Sequence, residues 1–140
     1  MKFDHVAVAV KNIDQALTVY TALGDFGVRR TEVPSQKVRI ALLKVGDVNI
    51  ELLEPSSEDS NVAKFLRERG EGLHHIAFAV EDIEQSMRDL GAKGFHFLYE
   101  KPADGKFGSR VNFIHPKDTG RVLMEITQER QDSQASDRIS

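Results

Sequence analysis

The chain of 140 residues contains no cysteine. This absence excludes disulfide bonds, thiolate metal ligands and a cysteine nucleophile. Any metal ion must therefore be held by imidazole and carboxylate groups, which suit zinc, cobalt, nickel and manganese.

The sequence also lacks a strong excess of charge and any long apolar run. The net charge is -3 and the pI is near 5.9, so nothing in the composition attracts the chain to nucleic acid or to an anionic membrane. A short Val/Ala run follows Lys2, but Asp4, His5 and Lys11 interrupt it, and it is too short for a signal peptide or a membrane span. We expect a cytoplasmic protein with no nucleic-acid or membrane partner.

One stretch of sequence occurs twice. Residues 3–15 align without gaps with residues 73–85, and His5 then matches His75. Each copy alternates in the way a β-strand requires and runs into a helix start that Asn12 can cap in the first copy and Asp82 in the second. The sequence therefore predicts two copies of one module.

The alternation within each copy separates two faces. His5 shares one face of the first strand with Ala7 and Ala9, while Val8 and Val10 lie on the other. We expect the following helix to cover the valine face, and we expect the small alanines to leave room for a ligand, since core positions usually carry larger residues.

The predicted fold is α+β, with two paired βαβββ modules forming a curved mixed sheet around a metal-binding cavity. We assign residues 1–128 to a single domain made of module 1 (1–54), a linker helix (55–71) and module 2 (72–128), and residues 129–140 to a disordered tail. The predicted strands cover residues 3–10, 27–31, 38–45, 48–53, 73–80, 96–99, 110–114 and 122–127. A tight turn at Gly46-Asp47 joins the third and fourth strands, and Ser60 or Asn61 starts the linker helix. Residues 102–109 form a glycine-containing loop of the ligand-facing type.

The last strands of the two modules also correspond. Each contains a single carboxylate in an apolar run, Glu51 in the first module and Glu125 in the second. Pairing the modules about a local two-fold axis would bring His5, Glu51, His75 and Glu125 together. Two imidazoles and two carboxylates form a complete ligand set for a divalent ion and leave positions open for water or substrate.

The remaining histidines have weaker signals. His74 points away from the face that carries His75, so we interpret it as a packing residue or a support for a ligand. We interpret His96, which has no counterpart in the repeat, as structural. His115 precedes a Pro-Lys-Asp turn, where a structural role and a place in the cavity are both open.

These patterns resemble the vicinal oxygen chelate (glyoxalase/bleomycin resistance/dioxygenase) superfamily, and more narrowly the methylmalonyl-CoA epimerase family, from residue 3 to residue 128. The more specific stretches are Glu71-Gly72-Leu73-His74-His75-Ile76 and Phe113-Ile114-His115-Pro116-Lys117-Asp118.

The resemblance implies a homodimer that acts on a CoA thioester. It implies a divalent metal, cobalt or zinc with nickel or manganese as alternatives, held by His5, Glu51, His75 and Glu125. The implied reaction interconverts (2R)- and (2S)-methylmalonyl-CoA in propionate metabolism, by proton abstraction at C2 through a metal-stabilised enolate.

The resemblance assigns one proton-transfer role to Glu125. Several family members carry a second glutamate where this chain has Ile40, so Glu51 or a metal-bound water is left for the opposite face of the carbon. Lys117, Arg110 and His115 are candidates for contacts with the substrate.

Three other functions use the same fold. A glyoxalase I-type lactoylglutathione lyase would use the same ligands, whereas a metal-free binding protein would not need the paired His/Glu residues. A ring-cleaving iron dioxygenase typically has two histidines and one carboxylate, and here a fourth ligand is available.

Overall fold

The computed structural model describes residues 1–130. Its contacts divide the chain into two compact units: the first is Asp4–His75, and the second begins at Ile76 and includes Met1–Phe3. The predicted disordered tail lies outside the described residues, apart from the exposed Glu129 and Arg130.

The first unit follows the predicted module. Its elements are β1 (Lys2–Ala9), α1 (Ile13–Leu23), β2 (Gly27–Val33), β3 (Val38–Val45), β4 (Val48–Pro55) and α2 (Asn61–Arg69). The strands lie in the order β2-β3-β4-β1, with antiparallel hairpins and a parallel β4–β1 pair. The predicted turn between β3 and β4 is confirmed, and Gly46 supplies its positive φ of 62°. Asn12 caps α1 as predicted, and Ser60, one of the two residues predicted to start α2, caps that helix.

The second unit repeats this plan with shorter strands. Its elements are β5 (Gly72–Ala79, whose first four residues belong to the first unit), α3 (Ile83–Ala92), β6 (Ala103–Asp104), β7 (Arg110–Ile114) and β8 (Met124–Gln128). The order is β5-β8-β7-β6, with a parallel β5–β8 pair. Each unit thus joins its first strand to its last in parallel.

The predicted strand at residues 96–99 is wrong. Only Phe97 forms a bridge, to Ile114. At Tyr99 the fully buried side chain of Asn112 bonds the backbone instead: its Oδ1 accepts from the Tyr99 N–H at 3.1 Å, and its amide donates to the Tyr99 carbonyl at 2.9 Å. A side chain therefore satisfies the groups that a strand partner would have used.

The helix starts are anchored in the same way in both units. In the first, Glu54 Oε1 accepts from the Ile13 N–H at 2.8 Å. In the second, Gln128 Oε1 accepts from the Ile83 N–H at 2.9 Å. Each acceptor lies at or near the end of the last strand and binds a backbone donor that has no partner within its helix. The internal repeat thus extends to these hydrogen bonds.

The two faces of β1 are packed against different helices. Val8 and Val10 pack with residues of α1, which confirms the predicted cover of the valine face. The expected space beside Ala7 and Ala9 is absent, because both are fully buried in a second apolar cluster that includes Val62 of α2. Larger side chains from the neighbouring strands and α2 fill the volume that the alanines leave.

Among residues 1–130, no helix has the length and the apolar character needed to cross a bilayer.

Candidate metal centre

Two histidines meet inside the first unit. His5 lies on β1 and His75 on the first part of β5, and their side chains are almost completely buried. Their Nε2 atoms are 3.1 Å apart and their rings meet edge to face. The sequence predicted both as ligands of one metal ion, and the structure directs the same nitrogen of each ring toward the other.

Carboxylates surround the opposite nitrogen of His5. Its Nδ1 lies 2.6 Å from Asp4 Oδ2 and 3.1 Å from Glu51 Oε2. Asp4, His5 and Glu51 each offer a ligand atom, and these atoms all lie within 4.8 Å of one another. Sequence reasoning missed Asp4, although it directly precedes His5.

The residue before His75 also contacts that histidine. The Nδ1 atoms of His74 and His75 are 2.8 Å apart. The ring of His74 packs edge-on against Phe65 of α2, with 4.9 Å between centroids. His74 therefore makes both an apolar contact and a polar contact with a predicted ligand.

The two predicted glutamates hold the same position in their own units. Glu51 pairs with Ala7 across the parallel β1–β4 pair, and Glu125 pairs with Ala77 across the parallel β5–β8 pair. Both glutamates are buried, and each alanine stands two residues after a predicted histidine ligand. The backbone register thus supports the equivalence read from the sequence.

An aromatic side chain adjoins Glu125. Tyr99 packs edge-on against Phe113, the antiparallel partner of Glu125, with 6.1 Å between ring centroids. Burial raises the pKa of the Tyr99 phenol, and the negative charge of Glu125 raises it further. The phenol is therefore held in its neutral, hydrogen-donating form.

The predicted substrate-contacting residues lie in the second unit. Arg110 begins β7 and forms an ion pair with Glu84 of α3. Lys117 is exposed, and its backbone N–H donates to His115 Nδ1 at 3.1 Å. These contacts leave the Nε2 of His115 as the ring nitrogen that carries hydrogen in the neutral form.

The donor set suits a divalent cation of the zinc or cobalt type. His5 and His75 offer nitrogen, and Glu51 offers oxygen from the same buried region of the first unit. Buried charged groups of this kind are normally paired or bound to a metal. His5 and Glu51 could therefore serve as ligands of such an ion, and His75 presents a second imidazole nitrogen 3.1 Å from that of His5.

Comparison with known proteins identifies the family of the chain. Residues 4–113 match the Glyoxalase/Bleomycin resistance protein/Dioxygenase superfamily. The chain belongs to this superfamily and has its glyoxalase-like α+β fold.

Within the superfamily the chain is a homologue of methylmalonyl-CoA epimerases. It is 35% identical to the mitochondrial methylmalonyl-CoA epimerase of Homo sapiens, over 91% of this chain and 73% of the relative. It is 34% identical to the ethylmalonyl-CoA/methylmalonyl-CoA epimerase of Cereibacter sphaeroides, over 91% of this chain and 97% of the relative. A variant of the Streptomyces coelicolor epimerase, solved with 2-nitronate-propionyl-CoA, superposes with a TM-score of 0.87 at 38% identity, covering 92% of this chain and 97% of that chain.

Proposed function

We propose that this chain is a metal-dependent methylmalonyl-CoA epimerase that interconverts the (2R) and (2S) forms. The observation that carries the proposal is the buried pair of His5 and His75, whose Nε2 atoms are 3.1 Å apart in a homologue of such epimerases. A binding protein without a metal would have to bury two imidazoles and a carboxylate for no compensating interaction with an ion.

The proposed ligands of the divalent ion are His5, Glu51, His75 and Glu125. The first three belong to one compact unit, and Glu125 is supported by its matching register in the other. Cobalt or zinc is the proposed metal, with nickel or manganese as alternatives. When bound, such an ion supplies positive charge that stabilises the negative charge developing on the substrate oxygens.

Glu125 is the proposed base on one face of C2. Its carboxylate takes the proton that lies between the thioester and the carboxylate of the substrate, which is acidified by both carbonyl groups. Tyr99 keeps a neutral phenol beside this carboxylate. We propose that this phenol holds the carboxylate in one orientation.

Glu51 is the proposed acid on the opposite face. Ile40, which stands where several family members carry a glutamate, is 5% exposed and packs in the apolar cluster with Ala7 and Ala9. It therefore has no group that could move a proton. Glu51 lies on the same face of the sheet as Ile40. Its cross-strand partner on β3 is Leu42, which is two residues from Ile40.

The substrate side of the proposal concerns the CoA thioester. We propose that Lys117, Arg110 and His115 contact its anionic groups, as basic side chains do with phosphate and carboxylate. Ethylmalonyl-CoA is a second candidate substrate, because one homologue acts on both. The homodimer, the cytoplasmic location and the single domain with its boundaries stay predictions.

The test is the entry of solvent deuterium at C2 of methylmalonyl-CoA, followed by NMR. Protein treated with a chelator should catalyse this exchange slowly, and added cobalt should restore the rate. The same preparations should be offered the glutathione hemithioacetal of methylglyoxal. Turnover of the hemithioacetal alone would contradict the proposal and favour the lactoylglutathione lyase, whereas metal-free protein that only binds the CoA thioester would favour a binding protein.

A further inference from the structure

We infer that Asp4 and His74 are positioning residues that turn the Nε2 atoms of His5 and His75 toward one divalent cation. This inference rests on the proposed metal-dependent function and concerns the ring nitrogens on the far side of each imidazole. It depends on the contacts within the first unit alone.

At His5 the contacts decide which nitrogen carries hydrogen. Nδ1 lies 2.6 Å from Asp4 Oδ2 and 3.1 Å from Glu51 Oε2. An ionised carboxylate only accepts hydrogen bonds, so Nδ1 has to be the donor. The neutral ring then keeps its lone pair on Nε2, the form that binds a metal. Asp4 makes the shorter contact and fixes this tautomer.

At His75 the partner is a second imidazole. Its Nε2 faces His5, and its Nδ1 lies 2.8 Å from the Nδ1 of His74. A cation on Nε2 requires the hydrogen of His75 to be on Nδ1, so the Nδ1 of His74 must accept it. The neutral His74 ring then carries its own hydrogen on Nε2. Phe65 packs against the His74 ring and holds it in place.

The two positioning residues occupy equivalent places in the repeat but differ in charge. Each stands one residue before its ligand, at positions 4 and 74 of the aligned copies. A carboxylate makes a charge-assisted hydrogen bond and raises the basicity of the imidazole that it contacts. A neutral imidazole makes a weaker hydrogen bond and raises that basicity less. The loss of Asp4 should therefore weaken metal binding more than the loss of His74.

The first measurement reads the tautomers without metal. Long-range proton–nitrogen NMR spectra of the imidazole rings should show His5 with hydrogen on Nδ1 in the wild-type protein. In Asp4→Ala the hydrogen should be found on both ring nitrogens. Assignment uses single variants of the five histidines. A His5 ring with hydrogen on Nε2 in the wild type would overturn the role of Asp4.

The second measurement is cobalt affinity, by competition with a coloured chelator. Asp4→Ala should weaken binding by about 10- to 100-fold, and His74→Phe, which keeps an aromatic ring against Phe65, by about 10-fold. Exposed residues provide the matched controls Asp59→Ala and His96→Phe, which should stay within about twofold of the wild type. Should Asp4→Ala not fold, the isosteric Asp4→Asn takes its place, with an expected loss of about 10-fold.

The outcomes separate the two proposals. Wild-type affinity in Asp4→Ala and His74→Phe would overturn the inference and leave the metal-dependent function standing. Wild-type protein that binds no cobalt would overturn the metal-dependent function and this inference together. Circular dichroism of the metal-free variants shows that any loss of affinity comes from folded protein.

Discussion

Tyr99 and Glu125 are electrostatically coupled within the second unit. Burial raises the pKa of the Tyr99 phenol above its ordinary value of 10.0, and the carboxylate of Glu125 adds to the increase. The folded chain therefore holds this proton at a pH where the unfolded chain has lost it. The stability of the protein should decrease as pH rises from about 10 through the folded-state pKa.

Replacing Tyr99 tests this coupling. Tyr99→Phe should reduce the loss of stability at alkaline pH, because the group that must stay protonated is gone. The measurement is the free energy of unfolding by urea between about pH 9 and about pH 11. If Glu125 contributes to the shift, Glu125→Gln should lower the pKa of Tyr99 in a phenol absorbance titration. An unchanged titration curve would show that Glu125 does not affect the pKa of Tyr99.

The two proposed proton-transfer residues can be separated by substrate stereochemistry. Glu125→Gln and Glu51→Gln should each slow epimerisation by about 10²- to 10⁴-fold. Each variant should still exchange the C2 proton of one epimer with solvent, and the two variants should retain opposite epimers. NMR of (2R)- and (2S)-methylmalonyl-CoA in deuterated water measures this. The exposed Glu58→Gln is the control, and loss of the same epimer in both variants would contradict the two-base assignment.

Ile40 provides a test of the core. Ile40→Glu places a charge in the cluster that contains Ala7, Ala9 and Leu53, and it should lower the free energy of unfolding by about 3–5 kcal/mol. Ile40→Val removes only a methylene group and should cost about 0.5–1.5 kcal/mol. Urea unfolding measures both. If Ile40→Glu were as stable as Ile40→Val, the position would be open to solvent and able to carry an acid or base.

Asp118 provides a test at acidic pH. The backbone N–H and the ring of His96 hold the pKa of Asp118 below its ordinary value of 3.8. Because the folded-state pKa is lowered, the stabilisation is present above the unfolded value and is lost as pH falls through the folded one. Asp118→Asn should therefore lower the melting temperature at neutral pH and flatten its decrease in acid. An acid profile identical to that of the wild type would contradict the effect.

Sequence patterns predicted most of the fold because periodicity and helix caps are local. The limits of β3 and β7 agree with the prediction, and Asn12, Ser60 and Asp82 cap the three helices as expected. The failures involve partners distant in sequence. The side chain of Asn112 replaces a strand at Tyr99, and α2 closes the space beside Ala7. Neither contact leaves a periodic signal in the chain.

The four ligand residues come from the internal repeat and stay a prediction. The repeat identified His5, Glu51, His75 and Glu125, because aligned copies place equivalent residues at equivalent strand positions. It did not identify Asp4, because strand alternation assigns neighbouring side chains to opposite faces. The 2.6 Å contact between Asp4 and His5 depends on side-chain rotamers, which the alternation of a strand does not specify.

Three of the four proposed ligand residues belong to the unit Asp4–His75, and only Glu125 comes from the other. A mutation at position 125 would therefore change the reacting carboxylate while the main anchorage of the cation persists. Such a division means that the proposed proton-transfer group can be exchanged at a single strand position while the other three proposed ligands stay in place.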